Sequence, residues 1–247
     1  MSRIILIVIS LFFFNATNSQ SEIYELRVYK MEFFKPANIL HDYIENALIP
    51  ALNRHGVNNI GAFEEEGDAL PKKIYLLIAY KNMQAHQEVA DALKNDKQFQ
   101  LDAESYWTSP EESIPYNRIE STFIRSVSGF PNLVKPADDS ELFELRIYES
   151  YNEDALRRKV KMFNDSEFGI FKDVGLNTVF FGANISGTQM PCLTYLLAFK
   201  DREAHEHAWS KFGPHPEWQR IIKLEEYANS MNNISRVFLK PLAYSQL

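Results

Sequence analysis

The 247-residue chain contains a single cysteine, Cys192, and no excess of basic residues. One cysteine excludes an internal disulfide and any metal site built from several cysteines. The 26 Lys and Arg residues stand against 33 Asp and Glu residues, and the net charge of −7 argues against a general nucleic-acid-binding protein. The sequence also lacks a Gly-x-Ser-x-Gly elbow, a P-loop and a Gly-x-Gly-x-x-Gly fingerprint. Hydrolase and nucleotide-binding functions therefore have no motif to support them.

A long apolar run occurs at the N-terminus. Arg3 precedes residues 4–14, which are apolar except for Ser10, and a short polar segment with small residues follows. This run is too short to span a bilayer and has the length of a signal-peptide core. We predict a signal peptide that is cleaved after Ser19; an uncleaved membrane anchor is the alternative. The mature protein is then expected to be secreted or periplasmic, without stable membrane insertion.

The remainder of the chain contains an internal repeat. The segment Tyr24–Tyr29 recurs as Phe143–Tyr148, at an offset of 119 residues, and the same offset relates Leu77–Lys81 to Leu196–Lys200. Separated blocks that share one offset indicate two copies of one structural unit. A segment rich in Pro, Asp and Ser joins the copies and has the composition of a linker. The predicted domains are a signal peptide over 1–19, a first repeat over 20–129, a linker over 130–140 and a second repeat over 141–247.

Each copy has the same predicted order of elements. An alternating strand is followed by a helix that ends at a glycine, Gly56 or Gly175, and then by two strands, a second helix and a last strand. The second strand is predicted over residues 57–63 and 176–181. The order β-α-β-β-α-β is that of a ferredoxin-like unit. We therefore predict an α+β fold of two tandem ferredoxin-like units, each with an antiparallel four-stranded sheet and both helices on one face.

The first strand of each copy alternates aliphatic with polar residues, so its two faces differ. We expect the aliphatic face, with Leu26 and Val28, to pack under the helices. The polar face carries Glu25, Arg27 and Tyr29 in the first copy and Glu144, Arg146 and Tyr148 in the second. The third strand is apolar on both faces, which is typical of a strand covered on both sides. The two sheets are therefore predicted to pack face to face as one barrel-like pseudo-dimer, with the polar residues in a shared interior.

Two interpretations of this polar set are open. In the structural interpretation, Glu25 pairs with Arg27 or Arg146, and such ion pairs fix how the two sheets dock. In the functional interpretation, the arginines and tyrosines hold an anionic or carbonyl-bearing small molecule between the sheets.

The repeated Glu-Leu-Arg-x-Tyr strand, at residues 25–29 and 144–148, resembles the opening strand of the NIPSNAP family, a branch of the dimeric α/β-barrel superfamily. The segment His215–Trp218 resembles the Asp-Pro-Glu-Trp helix motif of that family, with His in place of Asp, and residues 238–247 resemble its closing strand and Tyr-Ser-x-Leu tail. The resemblance implies a dimeric α/β barrel built from one tandem chain, of an exported bacterial type. Related barrels include cofactor-free monooxygenases and haem enzymes, whereas NIPSNAP members have no agreed reaction.

His86 and His205 occupy equivalent positions near the start of the second helix of each copy. Each is interpreted as a helix-packing histidine or, alternatively, as an axial haem ligand or a general base. His205 and His207 point to different faces of a helix, and Trp209 replaces the second histidine of a His-Glu-x-x-His zinc motif. We therefore predict no metal site. The sequence requires no cofactor, and haem stays an option.

These observations predict a protein that binds a small organic molecule between its two sheets, with monooxygenase-like oxidative turnover as part of the hypothesis. The candidate ligand-binding residues are Glu25, Arg27, Tyr29, Glu144, Arg146, Tyr148, His86 and His205. The alternative function is a non-catalytic module that assembles with other exported proteins or with further copies of itself. The sequence leaves open whether the protein is an enzyme.

Overall fold

The computed structural model describes residues 21–247. The predicted signal peptide and its cleavage position lie outside these residues. The strands of the described range are β1 Ile23–Met31, β2 Gly61–Glu65, β3 Lys73–Tyr80, β4 Tyr116–Ser126, β5 Leu142–Glu149, β6 Asn177–Asn184, β7 Cys192–Phe199 and β8 Asn233–Pro241.

The first helix of each repeat is continuous but contains a π-helical segment. In the first repeat this helix consists of α1 Asn38–Asp42, the π-helical segment Tyr43–Leu48 and α2 Ile49–Arg54. In the second repeat it consists of α6 Glu153–Met162, the π-helical segment Phe163–Glu167 and α7 Phe168–Val174. The other α-helices are α3 Met83–Asn95, α4 Lys97–Asp102, α5 Glu104–Trp107, α8 Arg202–Phe212 and α9 Pro216–Ile221. Among residues 21–247, no helix has the length and apolar character needed to cross a membrane.

The eight strands close into one antiparallel barrel in the order β1-β3-β2-β8-β5-β7-β6-β4. Each repeat contributes four neighbouring strands. The two sheets join at both edges, through hydrogen bonds between β2 and β8 and between β4 and β6. Closure leaves neither sheet with an unpaired edge strand. The predicted pair of ferredoxin-like units in a dimeric α/β barrel is confirmed, and the barrel forms within one chain.

Three apolar cores hold this arrangement together. One fills the barrel and takes side chains from both repeats, including Leu26 and Leu145. The other two lie outside the barrel, each between one sheet and its helices, with Ile44 central in the first repeat and Phe163 in the second. β3 is therefore covered on both faces, which explains its apolar run, whereas most residues of β4 and many of β8 are exposed.

The predicted orientation of β1 and β5 was wrong. Leu26 and Val28 face the shared interior of the barrel, whereas Glu25, Arg27 and Tyr29 face the helices. Glu144, Arg146 and Tyr148 of β5 likewise face the helices. Buried charges require hydrogen-bonding partners. The interior offers mainly aliphatic and aromatic side chains, while the helices contribute histidine and tryptophan, so the polar face turns outward.

Local backbone conformation sets the ends of the first helix and the start of β2. Gly56 and Gly175 adopt φ values of +81° and +84° and terminate their helices, as predicted. β2 begins at Gly61 rather than at residue 57. Asn59 has a φ of +57°, and this left-handed conformation interrupts the extended backbone expected there.

Candidate functional site

The polar residues of β1 and β5 lie in two separate clusters, one beneath the helices of each repeat. The first-repeat cluster consists of Glu25, Arg27, Tyr29, Tyr80, His86 and Ser121. The second-repeat cluster consists of Glu144, Arg146, Tyr148, Lys159, Glu167, Tyr195, His205 and Trp209. Each glutamate on a first strand forms its ion pair with the arginine of the same strand, so these pairs do not join the two sheets.

Helix capping places the two equivalent histidines over their sheets. The side chains of Asn82 and Asp201 cap α3 and α8, and each accepts a 2.8 Å hydrogen bond from a backbone N–H in the first turn. His86 and His205 follow in that first turn. Each imidazole is held edge-to-face between two aromatic rings with centroids 4.8 to 5.1 Å away. The histidines therefore occupy matching positions next to Glu25 and Glu144.

The first-repeat cluster satisfies its own hydrogen-bonding groups. Arg27 donates two hydrogen bonds to the carboxylate of Glu25, from Nε at 2.6 Å and from Nη2 at 3.1 Å. Ser121 donates a third at 2.8 Å, and Tyr80 a longer one at 3.5 Å. The Nε2 atom of His86 lies 3.8 Å from Glu25, beyond hydrogen-bond distance. His86 is thus a neighbour of a complete ion pair rather than a part of it.

These contacts determine the charge of Glu25. Burial alone would raise its pKa, but the hydrogen bonds from Arg27 and Ser121 bring the pKa below the ordinary value of 4.5. Burial also raises the pKa of Tyr29, against the influence of Arg27. At neutral pH the cluster therefore contains a carboxylate, a guanidinium and neutral phenols.

The second-repeat cluster is arranged differently around a fully buried glutamate. Glu144 accepts one hydrogen bond each from Arg146 Nη1 at 3.1 Å, His205 Nε2 at 3.2 Å and Trp209 Nε1 at 2.9 Å. The guanidinium of Arg146 also lies 4.3 Å from the centroid of the Trp209 ring, a favourable cation–π distance. Tyr195 donates to Tyr148 at 2.7 Å nearby.

Two nitrogens of this cluster are buried without a hydrogen-bond partner: Arg146 Nε and His205 Nδ1. Because a carboxylate only accepts, we assign the imidazole hydrogen of His205 to Nε2, which faces Glu144. The Nδ1 atom of the neutral ring then carries a free lone pair. An unsatisfied buried polar group is unfavourable by about 1–3 kcal/mol, so such an atom calls for a water, an ion or a ligand.

A buried ion pair borders the cluster. Lys159 Nζ and Glu167 Oε1 lie 2.5 Å apart, and both side chains are almost completely buried. Burial raises the pKa of Glu167, although Lys159 acts in the opposite direction. The equivalent positions of the first repeat are Leu40 and Leu48, which belong to its apolar core. The second repeat therefore has charged groups where the first has only aliphatic ones.

Sequence comparison identifies the family. The NIPSNAP profile matches residues 24–128 and 143–246, which cover most of both repeats. The chain belongs to the NIPSNAP family. A comparison with proteins of curated function found no match.

Solved structures similar to this NIPSNAP protein share its fold at low sequence identity. A protein from Lactobacillus acidophilus, provisionally designated a monooxygenase, has a TM-score of 0.58 and 12% identity, with 90% of this chain and 94% of that chain covered. A protein of the same designation from Fusobacterium nucleatum has a TM-score of 0.56 and 12% identity, covering 90% and 93%. An anthrone oxidase-like protein has a TM-score of 0.50 and 5% identity, covering 90% and 92%. At these identities the likeness concerns the fold alone.

The structure of this NIPSNAP chain brings together the predicted residues within each repeat but not across the repeats. Tyr148 joins the second-repeat cluster through Tyr195, whereas Tyr29 packs edge-to-face with Tyr116 at 5.2 Å. Sequence reasoning missed the roles of Lys159 and Glu167. The available signal was the comparison of the repeats, because two buried leucines of one copy align with two charged residues of the other.

The described residues of this NIPSNAP chain suit neither a metal ion nor a haem group. Among residues 21–247, no group of three or more His, Cys, Asp or Glu side chains is placed to hold a metal ion. His86 and His205 are clamped between aromatic rings with Nε2 toward a carboxylate, so they do not fit an axial haem ligand. Cys192 is buried, and burial raises the pKa of its thiol to about 11, which is unsuited to a nucleophile.

Proposed function

We propose that this NIPSNAP protein is exported, and that it binds and oxidises a small organic molecule at the second-repeat cluster. The observation that carries the proposal is that two residues which both donate to Glu144 each keep a buried nitrogen without a partner, His205 Nδ1 and Arg146 Nε. A ligand with an oxygen acceptor for Arg146 and an acidic C–H group for His205 would use both atoms. The sequence hypothesis placed the same residues between the two sheets; the proposal moves the ligand to the space between sheet and helices.

The pairing of Glu144 with His205 supports general-base chemistry. A carboxylate that accepts from one imidazole nitrogen fixes the tautomer and leaves the other nitrogen as the acceptor for a proton. His205 Nδ1 removes a proton from a carbon that is conjugated with a carbonyl group, as the CH2 group of an anthrone is through its aromatic rings. The electron pair of the broken C–H bond moves onto the carbonyl oxygen and gives an enolate. Arg146 donates a hydrogen bond to this oxygen and stabilises its negative charge.

Dioxygen is the proposed oxidant. The enolate carbon forms a bond to dioxygen, the proton held by His205 returns to the peroxide, and loss of water converts the CH2 group into a carbonyl. For an anthrone the balanced reaction is one anthrone and one dioxygen to one anthraquinone and one water. The anthrone oxidase-like and monooxygenase designations of the structural neighbours suggest this reaction class as a starting point for the choice of probe.

A cavity of about 590 Å³ lies on the far side of Phe199 and Ala204 from the cluster, and no residue of the second-repeat cluster lines it. Its wall includes Ala204, which precedes His205, and Phe199, whose ring lies 4.9 Å from the imidazole. Phe171 forms another part of the wall and packs edge-to-face on Trp209 at 6.1 Å. This cavity is therefore separate from the proposed reaction site, although its volume falls in the range of about 300–1,000 Å³ that is usual for small-ligand pockets.

The test uses protein purified from outside the cytoplasm of its own host, so that the mass of its N-terminus also reports removal of residues 1–19. The probe is 1,8-dihydroxyanthrone in air, followed by dioxygen uptake and quinone absorbance. We expect the wild type to accelerate the oxidation and His205→Asn to lose about 10²-fold of that acceleration. His86→Asn is the matched control and should keep wild-type activity, because its Nε2 is 3.8 Å from Glu25.

Equal activity of His205→Asn and the wild type would contradict the proposal, as would an equal loss in His86→Asn. Absence of both turnover and binding of the anthrone would contradict it for this substrate class. Such a result would favour the assembly function that was predicted from the sequence. Its supporting observation is the exposure of Phe33, Phe34 and Leu70 on the first repeat.

A further inference from the structure

One end of the barrel carries most of the exposed large apolar side chains. Neighbouring strands are antiparallel, and four steps around the barrel separate β1 from β5, so these two strands run in the same direction and finish at the same end. We call it the open end; it carries the connections 32–37, 66–72, 150–152 and 185–191. Of the twelve large apolar side chains exposed within residues 21–247, seven lie at or next to the open end: Phe33, Phe34, Leu70, Ile119, Tyr151, Met190 and Ile234.

The most exposed of these side chains stand on connections from both repeats. Phe33 and Phe34 lie between β1 and α1, and Leu70 lies in the β2–β3 hairpin. Tyr151 and Met190 lie on the corresponding connections of the second repeat, after β5 and between β6 and β7. The two hairpins are on opposite sides of the barrel. A partner that contacts both groups must therefore extend across the whole open end.

Phe34 projects furthest into the surroundings of the protein. Its relative exposure is 102%, and its backbone has a φ of +61°, a left-handed conformation that is unfavourable for a bulky side chain. The aromatic ring next to it belongs to Phe33, 5.9 Å away between centroids and itself 54% exposed. The loop thus holds two phenyl rings outward in a strained conformation, which is typical of a contact surface.

The open end also gives access to an apolar cavity of about 310 Å³ inside the barrel. Val28 and Ile147 line its wall from the two repeats, and Gln189 of the β6–β7 hairpin lies at its mouth. The other end of the interior is filled by aromatic rings, among them those of Tyr24 and Phe143. The cavity is therefore closed below and open toward the exposed apolar loops.

Charged side chains around the mouth are paired with one another. Four lysine–glutamate pairs lie there: Lys30–Glu120, Lys35–Glu32, Lys72–Glu64 and Lys73–Glu65. Glu149 and Arg236, which also lie near the mouth, have opposite charges. This balance favours neither an anionic nor a cationic partner, so apolar contact is the attraction that the open end offers.

We propose that the open end docks on a lipid surface of zwitterionic phospholipid. The apolar loop side chains enter the boundary between headgroups and acyl chains, while the paired charges stay among the headgroups. A lipid surface reaches the loops of both repeats at once, and an acyl chain can fill the central cavity. A second copy docked end to end would set two cavities against each other and fill neither. The contact is independent of the proposed oxidation, whose residues lie beneath the helices.

The experiment places an environment-sensitive dye at single positions of the full chain and adds dioleoylphosphatidylcholine vesicles. Cys192 is buried, so a cysteine introduced on the surface takes the label selectively. We expect labels at Phe34→Cys and Met190→Cys to shift to shorter emission wavelengths. The matched control is Val134→Cys, since Val134 is 52% exposed but bonds to Val179 near the start of β6, at the opposite end; its emission should not change. A position-specific signal separates this docking from attachment through the apolar residues 4–14.

Affinity is measured with the label at Met190→Cys, so that first-repeat side chains can be varied independently. Phe33→Ser/Phe34→Ser should raise the lipid concentration at half-maximal signal about ten-fold or more, because two phenyl rings no longer leave water. Val134→Ser is the control and should leave this concentration unchanged. Dioleoylphosphatidylglycerol vesicles should bind no more tightly than the zwitterionic ones.

The proposal is overturned if the labels at Phe34→Cys and Met190→Cys do not respond, if Val134→Cys responds equally, or if binding requires phosphatidylglycerol. It is also overturned if sedimentation without lipid shows a dimer that Phe33→Ser/Phe34→Ser dissociates, because a second copy would then occupy the open end. Should the double variant fail to fold, the three labelled positions decide.

Discussion

The two repeats share a fold and an opening strand, yet they bury different chemistry beneath their helices. In the first repeat, the carboxylate of Glu25 receives a two-point contact from Arg27 and a hydroxyl from Ser121. In the second, Glu144 receives three single hydrogen bonds from three different residues, and two of the donors retain a buried, unused nitrogen. One strand motif therefore supports a closed ion pair in one repeat and an incomplete network in the other.

The helices extend this contrast. The second repeat buries the charged pair Lys159 and Glu167 at the two helix positions where the first repeat buries leucines, Leu40 and Leu48. A buried ion pair contributes little net stability compared with well-packed apolar residues, because desolvation offsets the attraction. The charged pair is therefore not evidence of added stability relative to the two leucines of the first repeat.

The largest expected effect comes from breaking this pair. Glu167→Leu leaves Lys159 buried without its partner, and we expect the free energy of unfolding to fall by about 3–5 kcal/mol. The double variant Lys159→Leu/Glu167→Leu reproduces the pattern of the first repeat and should recover most of that loss. Urea unfolding of the wild type and the variants measures both values.

The matched control is Leu48→Glu in the first repeat, which introduces a carboxylate without a lysine and should be strongly destabilising. A double variant as unstable as Glu167→Leu would show that the two repeats cannot exchange these residues. The charged pair would then be a requirement of packing rather than a sign of function.

Much of the fold could be predicted from the sequence because each helix and strand assignment in one repeat could be checked against the equivalent segment of the other. The helix-ending glycines Gly56 and Gly175 occur at the repeat offset, and both adopt the expected left-handed conformation. The face of β1 that packs against the helices could not be predicted in the same way. Alternation shows that Glu25 and Leu26 point in opposite directions, but both faces of β1 are covered, so alternation does not show which face meets the helices.

The sequence named several residues that the structure brings together in the second repeat, but it placed them in the barrel interior rather than beneath the helices. Glu144, Arg146 and His205 do come together, yet Trp209, which the sequence analysis considered only as the residue that breaks a zinc motif, donates to Glu144. An indole has an apolar ring and one N–H donor, so its position in a sequence pattern does not show whether the donor is used. The hydrogen bond depends on the angle at which α8 crosses the sheet, which composition and spacing do not determine.

A second prediction, with a smaller expected effect, compares the uncharged side chains that donate hydrogen bonds to Glu144 and Glu25. Trp209→Phe removes the indole donor of the fully buried Glu144, and we expect a loss of about 2 kcal/mol in the free energy of unfolding. Ser121→Ala removes the hydroxyl donor of Glu25 at a more exposed position and should cost about 0.5–1 kcal/mol. Equal losses in urea unfolding would mean that the two clusters are equally well satisfied, contrary to the contrast drawn above.

The smallest expected effect is a difference in pH dependence between Glu25 and Glu167. Contacts with Arg27 and Ser121 outweigh burial and lower the folded-state pKa of Glu25, so the unfolded chain takes up its proton first on acidification. Glu25 therefore adds stability above about pH 4.5 that is lost as the pH falls through its folded-state pKa. Burial raises the pKa of Glu167, so stability should instead fall as the pH rises through that higher pKa.

Urea unfolding from pH 3 to pH 8 distinguishes the two signs. Glu25→Gln should be less stable than the wild type at neutral pH and approach it at pH 3, because the protonated wild-type side chain resembles glutamine. Glu167→Gln should remove the decline in stability that the wild type shows as the pH rises. Two variants with parallel pH profiles would contradict this assignment. The buried carboxylates of the two repeats would then be electrostatically equivalent, and the contrast between the repeats would depend on the unpartnered nitrogens of Arg146 and His205 alone.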